Sequence, residues 1–204
     1  MQRHDAVLAY WFRDLSVLET GGVPDDALSL WFEPDLELDR QIKERFGEDL
    51  ERAGRGDYDD WKRHPASHLA LLILLDQFSR NIYRGTQQAF AFDDQALENS
   101  LDALDAEQDR AVSPIARTFF YMPLQHSEQL GHQQRCVALM QELFDSAPDD
   151  QRDIFGSFLD AAKDHRDIIE QFGRFPHRNE ILGRDSTPDE KAYLEETTEA
   201  FGQA

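Results

Sequence analysis

The feature that most constrains this chain is the spacing of its apolar residues, which follows a helical period throughout. Val7, Leu8, Trp11, Phe12 and Leu15 are separated by steps of one and three, which places them on one helix face. Leu38, Ile42, Phe46 and Leu50 repeat every four residues. No Asn-Gly or Asp-Gly pair flanked by alternating apolar residues offers a β-hairpin. The expected fold class is therefore all-α, built from antiparallel helix pairs. At 204 residues the chain can bury a core without disulfides or metals, and one domain spanning 1–204 is expected. The single cysteine, Cys136, excludes an intrachain disulfide and a cysteine zinc site, and it is expected to pack as a small hydrophobe.

Gly, Pro and capping residues divide the pattern. Gly21-Gly22 is expected to end the first helix. Pro34 fits a first-turn position, with Asp35 and Glu37 following it at the positive end of the helix dipole. Ala53-Gly54-Arg55-Gly56 closes that helix. A third runs from Pro65 to about Arg84 and is stopped by Gly85. Asp93 or Asp94 is expected to cap a fourth, with Ala96, Leu97, Leu101 and Leu104 facing inward. Ser113-Pro114 starts a fifth, which Pro123 should interrupt, so that Leu124–Phe144 is expected as a separate helix ending near Pro148. Asp149 or Asp150 begins the next, through Phe155, Phe158, Leu159, Ile168 and Ile169 to Phe172-Gly173. Thr187-Pro188-Asp189-Glu190 is a capping box with Pro at N1. The linkers between these segments are short, and none marks a domain boundary.

Charge narrows the class of partner. Lys and Arg number 21 against 41 Asp and Glu, a net charge of −20. A chain this acidic repels the nucleic-acid backbone and anionic lipid, so neither is expected as a partner. Only four of the cations are lysines (Lys43, Lys62, Lys163 and Lys191), and the rest are arginines. The longest apolar run, Leu69–Leu75, is far short of the roughly 20 residues that span a bilayer. The N-terminal stretch lacks the apolar core of a signal peptide, and a cytoplasmic protein is expected.

Three segments carry polar groups where a helix face should be apolar. In Leu75-Asp76-Gln77-Phe78-Ser79-Arg80-Asn81-Ile82-Tyr83-Arg84, Asp76 and Arg80 are i,i+4 neighbours able to pair, as a partly buried structural ion pair or as part of a pocket lining. In Phe119-Phe120-Tyr121-Met122-Pro123-Leu124-Gln125-His126-Ser127-Glu128, a bend at Pro123 would turn His126 and Glu128 sideways. In His165-Arg166-Asp167 through Phe175-Pro176-His177-Arg178-Asn179, arginines and histidines concentrate in an otherwise acidic chain. Arginine presents a planar fork to carboxylate or phosphate. The serine-nucleophile elbow, the phosphate-binding and dinucleotide-binding glycine loops and the His-Glu-x-x-His zinc motif are all absent. His126, His165 and His177 with Asp76 or Glu128 do not define a metal site by spacing, and no metal or cofactor is assigned. Trp11 and Phe12 are expected in the core rather than on a partner surface.

These segments resemble the signatures of a bacterial family classed as a domain of unknown function, as do Trp11-Phe12, Trp31-Phe32, Ala89-Phe90-Ala91 and Gly183-Arg184-x-Ser186-Thr187-Pro188-x-Glu190. The resemblance extends from about Val7 to Leu194. It implies an all-helical fold similar to the right-handed array of tetratricopeptide-repeat proteins, and it implies no activity. Position 79 is Ser where that family often has Pro, and position 125 is Gln where it often has Glu, which removes a carboxylate beside His126 and leaves Glu128 as the nearby candidate.

Three functions follow as expectations. The first is a binding module whose pocket holds a small anionic ligand or a peptide carboxylate on Arg80, Asn81, His165, Arg174, His177, Arg178 and Asn179. The second is a hydrolase-type or metal-assisted enzyme on a small anionic substrate. Its catalytic candidates are His126 and His177 for acid–base chemistry, with Asp76 or Glu128 orienting the imidazole. The third is a purely structural buried ion network.

Overall fold

The apolar run Leu69–Leu75 lies at the centre of the molecule, where each of its residues is at most 2% exposed. The structure, a computed structural model, describes residues 2–13, 17–18 and 27–197. The described residues are helical and contain no strand. In chain order the helices are α1 (Arg3–Phe12), α2 (Ala27–Phe32), α3 (Leu36–Gly54), α4 (Pro65–Leu72), α5 (Ser79–Ile82), α6 (Asp93–Asp105), α7 (Pro114–Gln125), α8 (Leu130–Ser146), α9 (Arg152–Phe172) and α10 (Pro188–Glu196). Leu15 and Gly21-Gly22 lie outside the described residues.

The expected third helix is present but is not one regular helix. Between α4 and α5 the chain passes through a π-helical turn, Ile73–Phe78, all of it buried. A π turn widens the ladder by one residue and leaves carbonyls without their α-helical partners. Side chains from the next turn donate to two carbonyls of this turn. The Ser79 hydroxyl donates to the carbonyls of Leu75 at 2.6 Å and Asp76 at 3.2 Å, and Arg80 Nη1 donates to Asp76 O at 2.6 Å.

Two capping expectations are corrected. Pro34 precedes the helix rather than opening it: Asp35 is the N-cap of α3, accepting from the amides of Glu37 at 2.8 Å and Leu38 at 3.1 Å. Asp93 does not cap α6, whose N-cap is Phe92; its carboxylate faces two arginines instead. Pro123 lies within α7, which continues to Gln125, and the break before α8 comes at residues 126–129. Neighbouring segments also bind the last turns of this helix through its carbonyls. Ser100 Oγ donates to Phe120 O at 2.5 Å, Cys136 Sγ to Tyr121 O at 3.5 Å, and Gln133 Nε2 to Gln125 O at 2.6 Å. Cys136 is fully buried, and burial pushes its thiol up to about 12.

Other signals hold as read. Gly173 ends α9 with φ of 70°, a left-handed position that favours glycine, and Thr187 with Glu190 forms the capping box of α10. Trp11 and Phe12 are core residues, at 1% and 2% exposure. Successive helices α7, α8 and α9 pack on one another through short connections. Among the described residues no helix is long and apolar enough to cross a membrane.

An aromatic cluster clamps α1 and α2 to α7. The Phe119 ring lies edge-on to Trp31 at 5.0 Å, Phe12 at 5.3 Å and Trp11 at 5.9 Å, and the Trp31 indole donates to Trp11 O at 3.0 Å. Phe119→Ala is expected to cost about 3–5 kcal/mol, because the surrounding rings cannot collapse into the space. Urea denaturation of the two proteins checks this; a loss below about 1 kcal/mol would remove Phe119 from the clamp.

Candidate functional site

α2, the π turn and α5, Phe90, the end of α7, the middle of α9 and the 3-10 turn Pro176–Arg178 converge on a cavity of about 470 Å³. Its apolar side is Leu28, Trp31, Phe32, Phe90, Met122, Phe158 and Ala161. Its polar side carries Gln77, Arg80, Asn81, Arg84, Gln125, His126, His165, His177 and Arg178, with Ser29, Glu33 and Ser157. The size and the mixed lining suit a small-molecule pocket.

Asp76 organises the polar side from behind. It is 1% exposed, and an ionised carboxylate at that depth must be paired. Three neighbours supply donors. His126 Nδ1 lies 2.6 Å from Oδ1, Arg80 Nη1 lies 3.2 Å from the same oxygen, and Gln77 Nε2 donates to Oδ2. Burial alone would push the Asp76 carboxyl up; His126, Arg80 and Gln77 outweigh it and hold it below its ordinary value. Because a carboxylate only accepts, His126 bears a proton on Nδ1, and in the neutral imidazole Nε2 then keeps its lone pair.

Burial pushes the His126 imidazole down, the Arg80 charge adds to this, and Asp76 opposes it. His165 donates from Nδ1 to Ala161 O at 2.8 Å, and burial followed by the neighbouring His126 brings it to about 3. Burial followed by the Arg178 charge brings His177 to about 3. These imidazoles are therefore neutral at pH 7.

The arginines are not equally satisfied. Arg84 binds Asp39 through Nε at 2.6 Å and Nη2 at 2.9 Å, and Asn81 Nδ2 donates to the same carboxylate at 2.8 Å. Arg80 reaches Asp76 and, at 3.0 Å, Asp93 Oδ1, although that second contact lacks hydrogen-bond alignment. Arg178 has least. It is 6% exposed, stacked on Phe175 at 4.4 Å and Phe90 at 4.8 Å, and reaches Asp93 Oδ2 only at 3.4 Å. Its buried Nε has no hydrogen-bond partner among the described residues. Burial pulls Arg178 down to about 10, opposed by Asp93 and assisted by Arg80.

Of the residues expected to bind a ligand, Arg80, Asn81, His165, His177 and Arg178 line this cavity, joined by the catalytic candidate His126, with Asp76 directly behind it. Arg174, Asn179 and Glu128 do not line it. Arg174 Nε and Nη2 donate to Glu190 at 2.6 and 2.8 Å, and Asn179 Nδ2 donates to Ser186 Oγ at 3.0 Å and Glu190 at 3.3 Å. Glu128 accepts a bidentate pair from Arg184 at 2.7 and 3.0 Å and the Phe175 amide at 2.8 Å. Burial opposes its ionisation, but these bonds pull its pKa down. The carboxylate that orients His126 is thus Asp76, and Glu128 anchors the C-terminal loop to the end of α7 as a structural ion pair.

Gln77 and Arg84 fall in the segment expected as an ion pair or a pocket lining without being singled out there, Phe90 carries no such signal, and Asp93 reads locally as a cap. Arg84 was detectable, since it follows Arg80 by four residues and shares its face.

A second cavity of about 430 Å³ lies among the turn Gln108–Ala111, α7 and α8, but its buried pair is satisfied within the protein: Tyr121 donates to Asp109 at 2.8 Å. Among the described residues no group of three or more His, Cys, Asp or Glu side chains is arranged to hold a metal ion.

Comparison with other proteins places this geometry in context. Residues 7–198 match the model of the family described as bacterial protein of unknown function, DUF924. The structure is similar to that of a protein of unknown function, ATU0120, from Agrobacterium tumefaciens, with 38% identity and a TM-score of 0.80 over 95% of this chain and 97% of the other. The chain matches none of the curated proteins.

The neutral histidines give stability a pH dependence of definite sign. His165 and His177, held at about 3, take no proton in the folded state at pH values where the unfolded chain, near its ordinary 6.5, does. Stability therefore falls as pH drops from about 6.5 toward 3, by at most about 1.4 kcal/mol per pH unit for each histidine. His68 and His126 act in the same direction, and the depressed carboxylates of Asp76 and Glu128 add their loss only below their own unfolded values. The urea midpoint is expected to drop clearly between pH 7 and pH 5, and less so in His165→Asn; an unchanged midpoint in the parent protein would contradict buried neutral imidazoles.

Proposed function

The chain belongs to DUF924, a family of bacterial proteins of unknown function, so its role has to be sought in the chemistry of the cavity, and we propose that it is a binding module for a small amphipathic anion. The anionic head, a carboxylate or phosphate monoester, sits on Arg178 with Arg80 beside it. The apolar body lies along Trp31, Phe32, Phe90, Met122 and Phe158. The observation that carries this reading is Arg178: a guanidinium more than nine-tenths buried, stacked between two phenyl rings, held by one 3.4 Å contact to a carboxylate that it shares with Arg80. A cation so deeply buried gains from any anion that reaches it, and guanidinium offers a paired donor geometry to two oxygens. Arg84, in contrast, is already engaged by its own carboxylate.

The same proposal takes the helices to be arranged as in tetratricopeptide-repeat proteins, right-handed, with the cavity on the inner face. The packing of α7, α8 and α9 in chain order supports it. A small acid in the cytoplasm, rather than nucleic acid or a membrane, suits a chain of net charge −20.

An enzyme is the second reading, favoured by the 2.6 Å hydrogen bond between Asp76 and His126. A fixed tautomer with its lone pair at a cavity wall is what a general base needs. Hydrolysis of a small anionic ester that is lost in His126→Gln would support this reading over simple binding.

Arg178→Met tests the first reading directly. Arg80 Nη2 stays 3.0 Å from Asp93 Oδ1, so Asp93 is not left without a cation and the variant is expected to fold. Calorimetric titration with octanoate, octyl phosphate and a short hydrophobic peptide bearing a free C-terminus distinguishes the head groups. Saturable binding of at least one, weakened at least tenfold by Arg178→Met, is expected; equal affinity in both proteins, or no binding of any probe, would refute the proposal.

A further inference from the structure

Two residues of the polar wall beside the proposed anion site, His126 and Gln77, present acceptors, and this constrains the rest of the ligand. His126 commits its Nδ1 proton to Asp76 at 2.6 Å, so Nε2 is an acceptor. Gln77 directs its amide NH₂ at the Asp76 carboxylate and at Met122 Sδ, 3.3 Å away, which fixes its orientation, because an amide oxygen would not face a carboxylate. Its Oε1 is therefore the acceptor end. Both residues line the cavity, and both are set by the same buried carboxylate behind them.

We infer that the bound acid carries a neutral hydroxyl that donates to this wall, making the ligand class a medium-sized hydroxy acid. The inference rests on the reading of the cavity as an anion site. A carbonyl group in the same place would set lone pair against lone pair. An ammonium group could donate, but it would lie near Arg80, whose charge already disfavours a proton on His126 and whose Nη1 is 3.2 Å from the Asp76 oxygen that His126 holds. A hydroxyl both donates and avoids added positive charge. Discrimination of this kind is steep, since a buried acceptor left unpaired is penalised more than a missing methylene.

The test is a titration of the full-length protein with octanoate, with its 2-, 3- and 4-hydroxy derivatives, and with the oxo and amino acids of the same positions. One hydroxy isomer is expected to bind at least tenfold more tightly than octanoate and than the oxo acid of the same position. Nitrogen NMR of the parent protein, which needs no variant, should give His126 the Nδ1–H tautomer. If octanoate binds and no hydroxy isomer exceeds it, or the oxo acid equals the hydroxy acid, this inference falls and the anion site stands. If the amino acid is preferred, the hydroxyl assignment falls. If no acid binds, both fall together.

Discussion

The buried carboxylate of Asp76 is the constraint around which the site is arranged. It sits in a helix whose preceding residues are entirely apolar, at a depth where an unpaired charge is untenable. Its donors come from three places: Gln77 beside it, Arg80 one turn on and His126 at the end of α7. Arg80 passes the connection to Asp93 at the start of α6, and Asp93 passes it to Arg178 in the turn after α9. One chain of charge thus joins these segments, and Gln77, Arg80, His126 and Arg178 of it face the cavity.

The backbone is adapted to the same end. The π turn at Ile73–Phe78 leaves carbonyls that Ser79 and Arg80 satisfy, so Arg80 both completes the helix and pairs with Asp76. A π turn inside an α-helix is a recurrent companion of functional sites, because it displaces the following side chains from the regular helical face. The C-terminal loop is fastened separately, by Glu128 to Arg184 and Glu190 to Arg174. This second network has no vacancy for a ligand head group: its arginines and carboxylates pair with each other. The structural reading of the polar clusters fits this network, and the binding reading is the proposal for the cluster around Arg178.

Much of this was legible in the sequence, and the parts that were not have physical reasons. Helix content followed from apolar spacing, and the ends at Gly173 and Thr187 followed from local chemistry. The Asp76–Arg80 pair followed from i,i+4 geometry. The π turn was hidden because its six residues are all buried, so no polar face marks the change of period. Pro123 lies in the last turn of α7, and the helix runs on through it to Gln125, a continuation that a proline's local chemistry does not announce. Asp93 looks like a cap locally and is recruited by two arginines, one of them 85 residues away. Arg174 and Arg178 are four residues apart with opposite roles, and only the position of Glu190 separates them.

The central claim is that Arg178 is a buried cation short of partners that an anion completes. Nitrogen–proton NMR of the arginine side chains tests it at the atom concerned. The Nε–H signal of Arg178, identified by its loss in Arg178→Met, should shift saturably as octanoate is added, while the signal of Arg84 stays near its starting position. An Arg178 signal that does not move while the acid binds elsewhere, or one that moves no more than Arg84, would contradict the account.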